Sequence, residues 1–135
     1  MFSYNILKDD RIVILTASKK ITIDDYQNIA VQFFSDINAN GIHKILMDYR
    51  MYEGLASDGA ETMAFEAWRE IRSIFDSIAV VGDDLRTKEA RSFVEFFGNS
   101  NVDVRLFRSV QFGEALTWLK HKGRVDDDIG SIKNE

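Results

Sequence analysis

Few residues of this chain have the type and spacing that catalysis requires, and Asp48 is the first candidate. It ends the apolar run Ile45–Asp48, where a parallel strand would deliver a carboxylate to the edge of a sheet. A phospho-accepting aspartate needs further acids beside it to hold Mg²⁺, but Thr16 and Ala17 follow the preceding strand. Such a site also needs a lysine where this chain has Arg108. We therefore expect the Asp48 carboxylate to accept N–H bonds from its own loop.

The glycines Gly54 and Gly59 have the spacing of a phosphate-binding loop. The next residues, Ala60 and Glu61, replace the lysine and the hydroxyl residue that such a loop uses to hold the terminal phosphates and Mg²⁺. We therefore predict no nucleotide site at this position.

Histidines and acidic residues do not form a catalytic or metal-binding pattern. His43 begins a strand and His121 ends a helix, so neither is expected beside Ser57 or Asp48 as a base. The chain has no cysteine, which excludes thiolate nucleophiles and cysteine-ligated metals. Consecutive residues of the acidic run at 126–128 point in different directions, as in a solvated tail. We predict no catalytic residue, no metal and no cofactor.

Composition and charge indicate one globular domain. The chain has 135 residues, of which 45% are hydrophobic, and its net charge of −5 argues against binding nucleic acid. No apolar run approaches the roughly 20 residues that span a bilayer. The first residues lack the basic and apolar segments of a secretory signal, so we expect a cytoplasmic protein. Residues 1–122 are predicted to form the domain, and the acidic tail 123–135 is predicted to fray.

Apolar periodicity predicts an α/β fold, a mostly parallel sheet of about five strands with an N-terminal antiparallel hairpin, covered by four helices. Strands are expected at Phe2–Leu7, Ile12–Leu15, His43–Asp48, Ile78–Val81 and Asp103–Phe107. Helices are expected at Ile23–Asn40, Asp58–Phe75, Leu85–Phe97 and Gln111–Lys122. Between the second parallel strand and the second helix, the residues Tyr49–Ser57 are predicted to form a long loop.

Helix ends must be set by caps and glycines, because the chain contains no proline. Thr22, with Asp25 three residues later, resembles a capping box. Gly41, Gly98 and Gly123 each follow an amphipathic run and are predicted to end helices in the left-handed conformation.

Four segments of the chain form a recognisable combination: the Ile23–Tyr26 opening of the first helix, Ser77–Asp83, Val102–Phe107 and Glu114–Leu119. Together they resemble the SpoIIAA-like proteins, which are small bacterial relatives of the STAS domain. The resemblance covers residues 2–122 and implies a β/α fold without a catalytic centre. It also implies regulation by protein contact, or binding of apolar or lipid-like ligands near a membrane surface.

Ser57 is a candidate phosphorylation site because of that resemblance. Anti-sigma-factor antagonists carry a phosphorylatable serine at the start of the helix after the third strand, and Ser57 occupies about this position. A phosphate there would be stabilised by free N–H groups and the helix dipole. The neighbours Ala56 and Asp58 depart from the usual Asp-Ser-Ser-Gly-type context. Ser57 or Asp58 could equally be the N-cap of the helix.

The helices predicted at Asp58–Phe75 and Leu85–Phe97 carry more aromatic residues than one sheet face can cover. A helix packed on a sheet needs an apolar arc of roughly 100°. The surplus must face another helix, a second subunit, a ligand or a membrane interface. We predict a ligand- or partner-binding face formed by Phe65, Trp68, Phe93 and Phe96 with Tyr52, Gly82 and Asp83 at the carboxyl edge of the sheet.

The leading hypothesis is a non-enzymatic regulatory or binding module. The helix Leu85–Phe97 would hinge at Gly82 and Gly98 and open an apolar groove for a lipid-like ligand, and a partner protein or a second copy could select the same open state. The alternative is a phospho-switched regulator modified at Ser57. An enzyme built on the loop Tyr49–Ser57 lacks a nucleophile–base pair. Peripheral membrane contact has weak support, because acidic residues offset the arginines of the second helix.

Overall fold

The described residues form a sheet of five strands, which lie side by side in the order in which they occur in the chain. The structure is a computed structural model that describes residues 1–83, 95–96 and 101–132, with side chains through Lys122. The strands are β1 (Phe2–Leu7), β2 (Ile12–Ile21), β3 (Lys44–Leu55), β4 (Ser77–Val81) and β5 (Asp103–Phe107). The α-helices of the described residues are α1 (Ile23–Ala39), α2 (Ala60–Ile74) and α3 (Phe112–Ile132), and Glu95 and Phe96 are also helical.

The predicted architecture is confirmed in its main features. β1 pairs antiparallel with β2, and the pairs β2–β3, β3–β4 and β4–β5 are parallel. Four covering helices are expected from the sequence, and the described residues hold three. The predicted helix over Leu85–Phe97 lies outside the described residues except for Glu95 and Phe96, and Gly98, which was predicted to end it, also lies outside them.

Two apolar cores lie on opposite faces of the sheet. On the face that carries α1 and α2, residues of β2, β3 and β4 pack against Phe33, Ile37 and Ile71 of these helices. On the other face, Ala115 and Leu119 of α3 pack against alternate residues of the same strands. All five residues of β4 are buried, as expected for a central parallel strand covered on both sides.

The ends of α1 follow the predicted signals. The Thr22 side chain accepts a hydrogen bond from the Asp25 N–H at 3.2 Å, and the Asp25 carboxylate accepts one from the Thr22 N–H at 2.8 Å. This is the predicted capping box. At the other end, Gly41 has a φ of +60°, and the Ile42 N–H donates to the Ile37 carbonyl at 3.1 Å. The helix therefore ends in a Schellman motif.

The largest differences from the sequence prediction are at the ends of β2, β3 and the last helix. The strand expected over Ile12–Leu15 continues to Ile21 as β2. The predicted loop Tyr49–Ser57 is wrong over residues 49–55, because β3 continues to Leu55 beside an equally extended β2. The pairing of β2 with β3 contains two register shifts, so polar and apolar residues do not alternate regularly along these strands. The two-residue periodicity that identifies a strand in a sequence is therefore absent here. The last helix continues through Gly123 to Ile132, so Gly123 does not end it. Fraying of the tail 123–135 stays a prediction.

Candidate functional site

An apolar cleft of about 50 Å³ lies between α1, α2 and the sheet. Its described lining consists of apolar and aromatic side chains, among which Trp68 carries an indole N–H and Tyr26 and Tyr49 carry hydroxyls. The floor comes from β2 and β3, the walls come from the two helices, and Phe2 of β1 closes one side. The lining residues are Phe2, Leu15, Tyr26, Ile29, Ala30, Phe33, Phe34, Met47, Tyr49, Ala67, Trp68 and Ile71.

The cleft follows from small residues in two facing helical stripes. Tyr26, Ile29 and Phe33 recur at three- and four-residue spacing along α1 and therefore share the face that meets the sheet. Ala30 interrupts this wall, and Ala67 interrupts the facing wall on α2. Small side chains in both walls leave space that larger side chains would fill.

The aromatic side chains predicted on α2 do lie together. The ring of Phe65 is 5.2 Å from that of Trp68 and 6.3 Å from that of Phe96, and Trp68 is 6.0 Å from Phe96. The Arg72 guanidinium lies 4.4 Å above the Phe96 ring. Trp68 is half-buried and also lines the cleft, whereas Phe65 is 38% exposed. Part of the aromatic surplus is therefore packing between elements of one chain, and Phe65 remains at the surface.

The remaining predicted binding residues separate into two groups. Tyr52 stacks on Tyr49 with ring centroids 4.8 Å apart, which places it next to the floor of the cleft. Gly82 is buried just after β4, and a Cβ at this position would lie 3.4 Å from the Tyr49 Cβ, at ordinary van der Waals distance. Phe93 lies outside the described residues.

Asp83 has a structural role beside the turn that precedes α3. Its Oδ1 accepts a hydrogen bond at 2.9 Å from the Ser109 N–H in the turn before α3. This hydrogen bond and the Ser109 hydroxyl, helped by the charge of Arg108, hold the pKa of the Asp83 carboxyl below its usual value. Asp83 therefore fixes the turn between β5 and α3.

Ser57 is exposed in the turn that precedes α2. The N-cap of α2 is Gly59, with a φ of +96° and no side-chain hydrogen bond, so neither Ser57 nor Asp58 occupies the cap position itself. The Asp58 carboxylate nevertheless accepts a hydrogen bond from the Ala60 N–H at 3.1 Å.

Asp48 accepts N–H bonds locally, as expected for a structural carboxylate. Its Oδ1 receives the Arg50 backbone N–H at 3.1 Å and the guanidinium Nε at 2.9 Å, and its Oδ2 receives Nη2 at 2.9 Å. The carboxylate raises the pKa of Arg50 above its usual value, against the opposing effect of burial. The Arg50 guanidinium lies 4.1 Å above the Phe112 ring, so this pair joins β3 to the start of α3.

Neither metal binding nor membrane spanning is supported by the described part of the chain. No group of three or more His, Asp or Glu residues in residues 1–83, 95–96 and 101–132 could hold a metal ion. Among the helices of those residues, none is long and apolar enough to cross a bilayer.

Sequence reasoning did not find the α1 side of the cleft. Tyr26 and Phe33 belong to a regular buried stripe, which periodicity alone cannot distinguish from a filled core. The available signal was the pair Ala30 and Ala67, whose small side chains on adjacent helices indicate a gap.

The strand order, the N-terminal hairpin and the helices on both faces define a SpoIIAA-type α/β domain, a fold that is generally non-enzymatic. The chain belongs to the SpoIIAA-like family, whose family model matches residues 12–120. No curated protein matches at a significant level.

Solved structures show the same fold. A Shewanella loihica protein of the DUF3478 family with a SpoIIAA-like fold is 22% identical, with a TM-score of 0.66 over 88% of this chain and 92% of that chain. The Bacillus cell-fate determinant SpoIIAA in its phosphorylated form is 10% identical, with a TM-score of 0.54 over 78% and 90% of the two chains. The anti-sigma factor antagonist SpoIIAA in its unphosphorylated form also has a TM-score of 0.54 and 10% identity, over 78% and 87%.

Proposed function

We propose that the protein is a non-enzymatic, cytoplasmic binding module that takes up an apolar or lipid-like molecule in the cleft between α1 and α2. The observation that carries this proposal is the cleft itself, which is lined by aliphatic and aromatic side chains beside the half-buried Trp68. Ligand sites are typically concave and mostly apolar, with few polar groups that fix orientation. The hydroxyls of Tyr26 and Tyr49 could serve that purpose.

The cleft must widen to accept such a ligand. Its volume of about 50 Å³ is well below the roughly 150 Å³ of an apolar cavity that binds benzene. A ligand would therefore select a state in which α1 and α2 stand further apart. A partner protein, or a second copy of the chain, could select the same state through the exposed ring of Phe65 and the exposed Val31 on α1.

Fluorescence of Trp68 tests the proposal directly. Trp68 and Trp118 are the only tryptophans, and Trp118 packs on the other face of the sheet, so Trp118→Phe leaves a single reporter at the cleft. We expect titration with oleate to change the Trp68 emission saturably. Absence of any change at saturating oleate, with the variant folded, would overturn the proposal.

A pair of matched variants separates the cleft from unspecific surface binding. Ala67→Leu in the Trp118→Phe background places three extra carbons in the cleft and is expected to abolish the oleate response. Val31→Leu enlarges an apolar side chain that is 83% exposed on α1 and should leave the response unchanged. An equal loss in both variants would place the binding elsewhere.

A second candidate function is a phospho-switch at Ser57. It is favoured by the exposure of Ser57 in the turn before α2 and by its position two residues before the N-cap Gly59, where the helix dipole would stabilise a phosphate. The similar fold of SpoIIAA in its phosphorylated form adds support. In such a switch, phosphate at Ser57 would change the affinity for a partner.

The phospho-switch is tested by mass spectrometry of the protein purified from its own cells. We expect a peptide that carries phosphate on Ser57. Phosphoserine incorporated at position 57 should also alter the oleate response, whereas phosphoserine at the exposed Ser73 on α2 serves as the control. Unmodified Ser57 under all growth conditions would contradict this second function.

A further inference from the structure

One carboxylate joins the first residues of the two helices that form the cleft walls. The Asp58 Oδ2 accepts a hydrogen bond from the Ile23 N–H at 3.1 Å, and its Oδ1 accepts one from the Ala60 N–H, also at 3.1 Å. Ile23 is the first residue of α1, and Ala60 is the first residue of α2. The two oxygens of a single side chain therefore bridge two helix N-termini, and Asp58 lies 35 residues after Ile23 in the sequence.

The backbone holds Asp58 in this position from both sides. The Ala56 N–H donates to the Ile21 carbonyl at 2.8 Å, so the turn that leads to α2 starts against the end of β2. Gly59, with its φ of +96°, then turns the chain so that its Cα faces the Ile23 side chain, where a Cβ would lie 3.6 Å from Cδ1. The starts of α1 and α2 are thereby adjacent.

Electrostatics favour the bridge. Each helix start carries unpaired N–H groups and the positive end of the helix dipole, so two such ends side by side repel each other. A carboxylate between them satisfies one donor from each helix and neutralises the repulsion. For α2 this matters more, because its N-cap Gly59 has no side chain, whereas α1 already has the Thr22–Asp25 capping box.

We propose that Asp58 is a latch that keeps α1 and α2 together at their N-terminal ends and so holds the cleft in its narrow state. Tyr26 of the cleft wall lies one turn after Ile23, and its backbone N–H is bonded to Thr22 at 3.4 Å, so separation at Ile23 moves this wall directly. The latch rests on the proposed function of the cleft, and it predicts that ligand uptake requires the Asp58 bridge to open.

The affinity of the protein for an apolar probe tests whether the Asp58 bridge keeps the cleft narrow. Uncharged diphenylhexatriene is the probe, so that a change in protein charge does not itself alter binding. If Asp58 favours the narrow state, Asp58→Ala should bind the probe about fivefold more tightly and associate faster, the size of effect that the loss of one helix cap has on an equilibrium. Asp58→Asn keeps a single acceptor oxygen and can bond only one helix at a time. Its affinity for the probe should lie between those of the wild type and Asp58→Ala.

Asp24→Ala is the matched control. Asp24 is an exposed acid in the first turn of α1, so its removal changes the charge near the same helix start and leaves the bridge intact. Equal affinities of Asp58→Ala, Asp24→Ala and the wild type would overturn the latch while leaving the proposed function in place.

A distance measurement keeps the latch testable even if no variant binds the probe. The chain has no cysteine, so cysteines introduced at the exposed positions Gln27 on α1 and Thr62 on α2 can carry a pair of spin labels. Asp58→Ala is expected to lengthen or broaden the label-to-label distance, and Asp24→Ala is expected to leave it unchanged. An unaltered distance in Asp58→Ala refutes the latch. Failure of the wild type and all variants to bind the probe refutes the proposed function instead.

Discussion

The phenol of Tyr4 donates a 2.5 Å hydrogen bond to Oδ2 of Asp36, 32 residues further along the chain. The Tyr4 ring also packs edge-on against Phe33 at 5.2 Å, so one side chain ties the edge strand β1 to α1. Phe2 and Phe33, on either side of this contact, both line the cleft. The Tyr4–Asp36 bond therefore fixes the α1 wall of the candidate site to the sheet.

Loss of the Tyr4–Asp36 hydrogen bond should make the free energy of unfolding change less as the pH rises above 10. Burial, with the hydrogen bond and the charge of Asp36, raises the pKa of Tyr4 to about 12 from its usual 10.0. The resulting stabilisation is complete below pH 10 and is lost as pH rises towards 12. Tyr4→Phe is expected to lower the free energy of unfolding by about 1 kcal/mol at pH 8. Urea titrations at pH 8 and above 10 should show the difference shrinking, and a constant difference would contradict this assignment.

The Asp48–Arg50 pair is predicted to stabilise the attachment of α3. Arg50→Met should cost about 2 kcal/mol, because Asp48 is buried and would lose two charged hydrogen bonds. Arg50 is 41% exposed, which keeps the cost below that of breaking a fully buried pair. Urea unfolding gives the values, and Arg69→Met is the control, since Arg69 and Glu66 form an exposed pair on α2. Equal effects of the two substitutions would show that Arg50 contributes no more than a surface pair.

Gly82 is predicted to be a close-packing position rather than a hinge. Its N–H donates to the Phe107 carbonyl at 3.0 Å, and a Cβ would meet Tyr49 at ordinary van der Waals distance. Gly82→Ala should therefore change the free energy of unfolding by less than about 0.5 kcal/mol and leave oleate binding unaltered, whereas Gly82→Val should cost about 1–3 kcal/mol. Gly113→Ala, with open space around it, is the control. Impaired oleate binding in a stable Gly82→Ala variant would restore the hinge hypothesis.

The capping box of α1 should make the free energy of unfolding fall at acidic pH. Burial tends to raise the pKa of Asp25, but the hydrogen bonds from Thr22 and the nearby terminal ammonium outweigh it and lower the pKa below its usual 3.8. A depressed pKa stabilises the fold above that usual value, and this contribution is lost as pH falls through the lowered one. Asp25→Asn should thus cost about 1 kcal/mol at pH 7 and almost nothing in strong acid. Thermal unfolding at pH 7 and pH 3 provides the comparison, and a larger loss at pH 3 would refute it.

Patterns of buried residues predict most of the fold because they depend on local chemistry. The fully apolar run of β4 and the Thr22–Asp25 spacing each have one physical explanation, and both occur as predicted. The extension of β3 from Tyr49 to Leu55 escaped prediction because it depends on pairing with β2, a contact between segments that are distant in sequence. Gly123 was misleading because a glycine can continue a helix at moderate cost.

The candidate site was harder to predict than the fold. Trp68 was predicted as a site residue from the surplus of aromatic residues, and the cleft that it lines has its other wall on α1. The groove expected towards Phe93 and Phe96 stays a prediction. The apolar periodicity of a helix indicates which residues face inwards. It does not indicate where the side chains of two neighbouring helices leave a gap. That gap depends on how the two helices that carry Ala30 and Ala67 pack on the sheet, which only the three-dimensional structure determines.

The five strands advance across the sheet in the order in which they occur in the chain, without a reversal. Doubly wound folds bind their ligands where the strand order reverses and neighbouring connections diverge to opposite sides. Here the connecting helices α1 and α2 lie on the same face of the sheet, and Phe96 from the connection between β4 and β5 packs on that face as well. A ligand of the proposed kind would therefore enter between two neighbouring helices. The size of ligand that the domain accepts would depend on how far these helices can separate.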